Sequence, residues 1–133
     1  MLNHVMVGSN DIARSRQFYD AVLGGVLGAT EPLVNPAGSG HVRLFYRHAG
    51  STFAVSEPIN DAPATSGNGA TVGFTCSSPE QVQAFHDAAV AAGGVSIEQP
   101  PGVRDSRMGP VWLATCATRM ATSSVRSIGL RKL

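Results

Sequence analysis

A chain of 133 residues, 43% of them apolar, is long enough to bury a core in one domain without disulfides or a structural metal. A net charge of +1, with only 14% charged residues and no basic run before the last few positions, excludes a nucleic-acid footprint and an acidic tail. Apolar runs fall far short of the ~20 residues that span a bilayer, and no basic segment leads into an apolar stretch at the start, so a cytoplasmic protein with no membrane partner is expected.

The first organised stretch is His4 to Gly25, HVMVGSNDIARSRQFYDAVLGG, and its plan returns 67 positions later from Thr71 to Gly94. Val5 falls on Val72, Phe18 on Phe85, Asp20 on Asp87 and Ala21 on Ala88. Each copy reads as a short apolar run, a polar turn, an amphipathic helix and a glycine stop, which is a duplicated strand-helix unit. In the first copy Val5 and Val7 share one strand face and His4 and Met6 the other. Ser9 or Asn10 is the expected helix cap. Ile12, Ser15, Tyr19, Val22 and Leu23 trace the buried stripe, and Gly24-Gly25 ends it.

A short strand is expected over Val26 to Thr30, then a loop from Glu31 to Gly40 rich in Pro, Gly and Asn. His41 to His48 alternates Val42, Leu44 and Tyr46 against Arg43, Phe45 and Arg47, and Ser51 to Ser56 pairs back through Ala49-Gly50 as a hairpin. The stretch 58–69 lacks periodicity and reads as a connector between halves.

The second unit opens with the strand Thr71 to Thr75. Ser78 caps the next helix, with Pro79 first and Gln81 completing a capping box; Val82, Phe85, Ala89 and Ala92 form its stripe. Val95 to Glu98 is a short strand, Gln99 to Gly109 a loop, and Pro110 to Cys116 a strand carrying Trp112. Cys76 and Cys116 lack metal-like spacing and read as buried thiols in a reducing compartment. Each half is β-α-β-β-β.

The opening H-V-x-V, the run D-I-x-R-S-x-x-F-Y at Asp11 to Tyr19, S-P-E-Q-V-x-A-F-H at Ser78 to His86, and P-P-G-x-R then G-P-V-W-L-A at Pro100 to Ala114 together resemble the vicinal oxygen chelate superfamily. That superfamily includes glyoxalase I, extradiol dioxygenases and bleomycin-resistance proteins. The resemblance implies an α+β fold of two tandem βαβββ modules, about 1–57 and 70–133, whose curved mixed sheets surround a pocket. His4, Tyr46, Phe53, Arg104 and Trp112 are the pocket residues expected here, and a small molecule the partner. Such proteins often hold a divalent metal, nickel, zinc, manganese or iron, through four strand residues. His4 matches the first of these, but Thr71 stands at the second, where a hydroxyl is a poor ligand beside an imidazole. The strand carboxylate is missing between Phe53 and Ser56, and Glu57 one step beyond is a weak second candidate. The expectation is therefore no complete metal site and no cofactor, with three functional readings: a glyoxalase-like lyase or isomerase, a non-catalytic small-molecule binder, and, least supported, a dioxygenase. Homodimer formation is compatible with the module plan.

From about residue 115 the chain departs from that resemblance, which implies an R-D-P-D-G-N turn and a final strand. A shift of one nucleotide, with permitted synonymous codons from Thr115 to Leu130, reads Leu-Arg-Asp-Pro-Asp-Gly-Asn-Lys-Leu-Cys-Ala-Val-His-Arg-Leu. A frame change over 115–133, in the gene, the clone or the recorded sequence, is expected, with a divergent tail as the alternative reading. The tail as written is expected to form a strand through Val125 and Ile128. No catalytic residue is assigned from sequence; His86 reads as structural, and His41 and His48 as solvent-facing.

Overall fold

The computed structural model describes residues 1–107, 109–118 and 126–132, the last stretch by its backbone alone. Nine strands and two α-helices alternate along it in the order β1 (Val5–Gly8), α1 (Ile12–Tyr19), β2 (Leu33–Pro36), β3 (Val42–His48), β4 (Ser51–Ser56), β5 (Thr71–Thr75), α2 (Pro79–Ala91), β6 (Val95–Ser96), β7 (Gly102–Arg104), β8 (Val111–Ala117) and β9 (Arg126–Lys132). The first module forms a sheet in the order β1-β4-β3-β2, and the second repeats it as β5-β9-β8-β6, with β7 also pairing β8. In each, the opening strand lies parallel to the last, β1 to β4 and β5 to β9, while the other pairs are antiparallel. The duplicated βαβββ plan is thus observed, with the second strand of module two split into β6 and β7. The strand expected through Ile128 is β9; Val125 lies outside the described residues.

Several local expectations are corrected. Asp11, not Ser9 or Asn10, caps α1, its side chain accepting from Arg14 N at 3.0 Å. Ser9 instead hydrogen-bonds Ser15 Oγ at 2.6 Å, and Asn10 turns away to grip both backbone groups of Ala64 in the connector. The Gly24-Gly25 pair does not stop the helix: Asp20–Val26 continues it as a π-helical turn, and no strand forms over 26–30. The wider turn tolerates the glycines because its end is secured from the other module, where Gln81 Nε2 donates to Val26 O at 3.0 Å. Gln81 Oε1 meanwhile accepts from Ser77 N, one residue before the Ser78 cap, so the capping box is displaced by one position. The loop expected over 31–40 contains β2, paired along β3.

Alternation sorts each sheet into two faces. Leu44, Tyr46, Phe53 and Val55 turn inward and join Phe18, Tyr19, Val22 and Leu23 from the first helical arm, Val82, Phe85 and Ala89 from α2, and Ala114 and Cys116 from β8 in one apolar cluster. The cluster crosses the module boundary. An aromatic series carries it, with ring centroids 4.8 Å apart for Tyr19–Phe53, 5.2 Å for Phe53–Phe74 and 5.8 Å for Phe74–Phe85. Gly94 lets the C-terminus of α2 reach Phe18: a Cβ there would stand 2.7 Å from Ala89 O and 3.0 Å from the Phe18 ring. The opposite face of the first sheet, carrying Met6, Phe45, Leu33, Arg43 and Arg47, is turned away from this core.

Candidate functional site

A cavity of about 490 Å³ opens where the modules meet, between the N-terminal end of β1, the β3–β4 hairpin, the π-helical turn and β5. Its volume suits a small organic molecule. Leu23, Leu27, Phe53 and Phe74 supply apolar walls, and His4 and His48, both exposed, stand among the lining residues. The pairing His48↔Ser51 puts that imidazole at the hairpin end, and Val5↔Phe53 brings His4 to the same end of the sheet.

Three of the five expected pocket residues therefore converge: His4, Tyr46 and Phe53 line the cleft. Arg104 and Trp112 do not. Arg104 braces its own loop, donating to Pro100 O at 2.6 Å and Val103 O at 3.1 Å. Trp112 lies on β8, half-buried and paired with Val103. His48, expected to face solvent, is exposed among the lining residues, and Phe74 lines the cleft although no motif singled it out. Their convergence depends on how the modules pack, although Phe74 was legible as the inward residue of a strand repeat.

Tyr46 is 2% exposed, and its hydroxyl donates to Asp20 Oδ1 at 2.9 Å. Burial, reinforced by that carboxylate, pushes the phenol far above its ordinary range, so Tyr46 is a fixed neutral donor. Asp20 is held in turn by Arg16 at 3.4 Å, and Arg16 reaches Glu31 at 3.0 Å. The network clamps the helical arm to β3.

The donor set does not fit the metal centre implied by the resemblance. Among the described residues no three His, Cys, Asp or Glu side chains come together. His4 and Glu57 lie at opposite ends of the β1–β4 pair, and Glu57 Oε2 already accepts from Val42 N at 2.7 Å. Thr71, the first residue of β5, offers only a hydroxyl.

The fold also assembles Ser, His and Asp outside the cleft: His86 Nε2 is 2.8 Å from Ser96 Oγ, and its Nδ1 is 3.3 Å from Asp87 Oδ1. Hydrogen bonds from Gln83 and then His86 hold the Asp87 carboxyl below its usual range. The three sit on the flank of α2 away from the cleft, where His86 ties the helix to β6, in keeping with its structural reading. His41 is likewise engaged, 2.9 Å from Asp61 and 2.7 Å from Ser39. Cys76 and Cys116 are buried thiols.

Comparison with known proteins agrees with this geometry. A sequence model of the Glyoxalase/Bleomycin resistance protein/Dioxygenase superfamily matches residues 1–109. A crystal structure of a glyoxalase/bleomycin resistance protein from Albidiferax ferrireducens T118 is similar over 99% of both chains, with 44% identity and a TM-score of 0.87. A glyoxylase/bleomycin resistance protein/dioxygenase domain from Frankia sp. EAN1pec shares 12% identity, over 99% of this chain and 93% of its own, at a TM-score of 0.70. The fosfomycin resistance protein FosX from Listeria monocytogenes shares 14% identity, over 100% and 91%, at 0.68. These last two likenesses are of fold. None of the curated proteins compared with the chain matches it.

Proposed function

Because the chain belongs to the Glyoxalase/Bleomycin resistance protein/Dioxygenase superfamily, we propose that it takes a small oxygenated molecule into the cleft between its modules without a complete metal centre of the family type. The observation that carries this is the cleft itself, about 490 Å³ of largely apolar wall with His4 and His48 among its lining. Apolar walls bind the body of the ligand, and the imidazoles supply hydrogen bonds to its oxygens and a route for protons. A glyoxalase-like lyase or isomerase is the catalytic form of this reading. Non-catalytic binding is the second form, favoured by the scattered donor set, because sequestration needs a shaped pocket alone. Dioxygenase chemistry through two histidines and a carboxylate is not supported by Thr71 on β5. A cytoplasmic location accords with two buried thiols, and a homodimer remains part of the proposal.

The test is an NMR titration of the full chain with benzyl alcohol as an oxygenated apolar probe. Saturable shifts confined to Val5, Leu23, Leu27 and Phe74, abolished by Ala29→Phe, which fills the cleft, are expected. Shifts scattered over the surface, or binding unaltered by Ala29→Phe, would overturn the reading. His4→Ala and His48→Ala separate the two forms: loss of turnover with binding retained marks catalysis.

A further inference from the structure

We propose a second site, independent of the cleft: a nucleophilic site that transfers the acyl group of small activated esters, with Ser39 as nucleophile, His41 as its base and Asp61 as the carboxylate that positions the base. Two segments bring the three together. Gly38, Ser39 and Gly40 form a three-residue hairpin loop between β2 and β3, in which Ala37 N donates to His41 O and Gly40 N to Ala37 O, both at 2.8 Å. Gly40 closes the loop in the left-handed region at φ +84°, a conformation that a side chain would strain. The connector supplies the carboxylate. Its course is pinned on both sides of Asp61, by Glu57 N donating to Val42 O at 3.1 Å and by Asn10 gripping Ala64. Asp61 itself stands at φ +60°, also left-handed.

The contacts have the order that nucleophilic catalysis needs. Ser39 Oγ lies 2.7 Å from His41 Nδ1, and Asp61 Oδ1 lies 2.9 Å from Nε2 on the far side of the same ring. With Nε2–H donating to the carboxylate, Nδ1 is the bare nitrogen and accepts the serine proton. Nucleophile, base and orienting group in series are recognised by these roles, whatever their order in the chain. The imidazole side chain is only 17% exposed, so its orientation is held while Ser39 stays open to solvent. A Cβ at Gly38 or Gly40 would meet nothing within 4 Å, which leaves free approach to the serine on both sides. The loop's two hydrogen bonds use the amides of Ala37 and Gly40 and not those of Gly38 and Ser39, which lie on exposed residues and can donate to a carbonyl oxygen as it gains charge.

A cavity of about 460 Å³ adjoins the imidazole, with His41 and Asp61 in its wall beside Pro58, Ala62 and Pro63. The apolar body of the ester rests against the prolines and its carbonyl at the rim, over Ser39. That wall carries Asp61 and neither lysine nor arginine, so a neutral ester is favoured over an anionic one. In the acylation step Ser39 Oγ bonds to the acyl carbon, its proton passes to His41 Nδ1, the ester C–O bond breaks, and the leaving alcohol takes that proton. Water then repeats the sequence on the acyl-serine, releasing the carboxylic acid and restoring Ser39. The adjoining cavity distinguishes this set from Ser96, His86 and Asp87, whose carboxylate stands further off at 3.3 Å.

The experiment follows hydrolysis of p-nitrophenyl acetate by the full chain, with mass analysis of protein quenched during turnover. The expected result is an acetyl group on Ser39 and a saturable rate that falls at least about tenfold in Ser39→Ala and in His41→Ala, since a positioned base contributes about 100-fold or more. If His41→Ala fails to fold, Ser39→Ala on its exposed loop and the position of the acetyl group carry the test. Asp61→Asn should lower kcat with KM retained and the urea midpoint unchanged, which separates positioning of the base from support of the connector. Ser96→Ala should leave the rate unchanged. A wild-type rate in Ser39→Ala would mean catalysis by imidazole alone and would overturn the proposal. So would acetylation confined to Ser96 or to histidine, or a rate that never saturates. A faster reaction with the anionic p-nitrophenyl hemisuccinate would overturn the assignment of a neutral substrate.

Discussion

Phe53 is the residue at which cleft and core depend on each other, and its removal tests whether two modules share one interior. The ring is 7% exposed, packs on Tyr19 within module one at 4.8 Å, and meets Phe74 of module two edge-on at 5.2 Å and 79°. Truncating a buried Phe to Ala costs about 3–5 kcal/mol, and because one side of this ring faces the cleft, we expect Phe53→Ala near the low end. That is a large share of the roughly 5–15 kcal/mol that stabilises an ordinary domain. The inter-module part is separable. In a cycle of Phe53→Leu, Phe74→Leu and the double variant, an edge-to-face pair should couple by about 0.5–1.5 kcal/mol. Urea denaturation followed by circular dichroism measures each midpoint, and unchanged slopes certify that stability alone has moved. Coupling below about 0.3 kcal/mol, the level at which independent sites add, would refute the shared core.

Gly94→Ala should cost about 1–3 kcal/mol, because the clash is with the Ala89 carbonyl and backbone cannot yield as a side chain does; an unchanged urea midpoint would contradict it. Burial, with a contribution from the Asp87 charge, raises the Cys116 thiol from 9.0 to about 11. The unfolded thiol then ionises before the folded one, so the Cys116 contribution to stability should fall between pH 9 and 11 by about 2–3 kcal/mol, at roughly 1.4 kcal/mol per pKa unit. Cys116→Ala should flatten that decline, and an identical slope in the variant would count against it. Finally, the chain carrying the frame-restored ending in place of the present tail should melt several degrees higher, since about 1 kcal/mol shifts a domain of this size by a few degrees. An equal or lower midpoint would speak against a frame change, as would resequencing that returns the present frame.

Regular periodicity made most of the fold legible. Ser51–Ser56 and Thr71–Thr75 are strands within the bounds that alternation implies, and Ser78-Pro79 marks the start of α2 to the residue. What was hidden is what tertiary contact decides. Gly24-Gly25 carries the local signal of a helix stop, whereas the π-helical end that forms is held by a bond from Gln81 to Val26 O, from the other module, which no local pattern announces. Leu33–Pro36 shows no burial pattern because all four residues are exposed, so pairing with β3 alone defines it. The site divides in the same way. Tyr46 and Phe53 were legible as inward aromatics and His4 through the resemblance, whereas His48 and Phe74 reach the cleft only through the hairpin end and the packing between modules. Arg104 and Trp112 had suitable chemistry, but the β7–β8 register carries them elsewhere.

The measurement that bears most directly on a cleft working without the family-type metal centre is elemental analysis of purified protein, prepared without chelators, together with its melting temperature before and after addition of nickel, zinc or manganese. A ligand that prefers the folded state must raise that temperature. Substoichiometric metal and an unchanged melt are the expected result. One equivalent of bound metal with a raised melting temperature would contradict it, and would require ligands around His4 that the donor geometry does not supply.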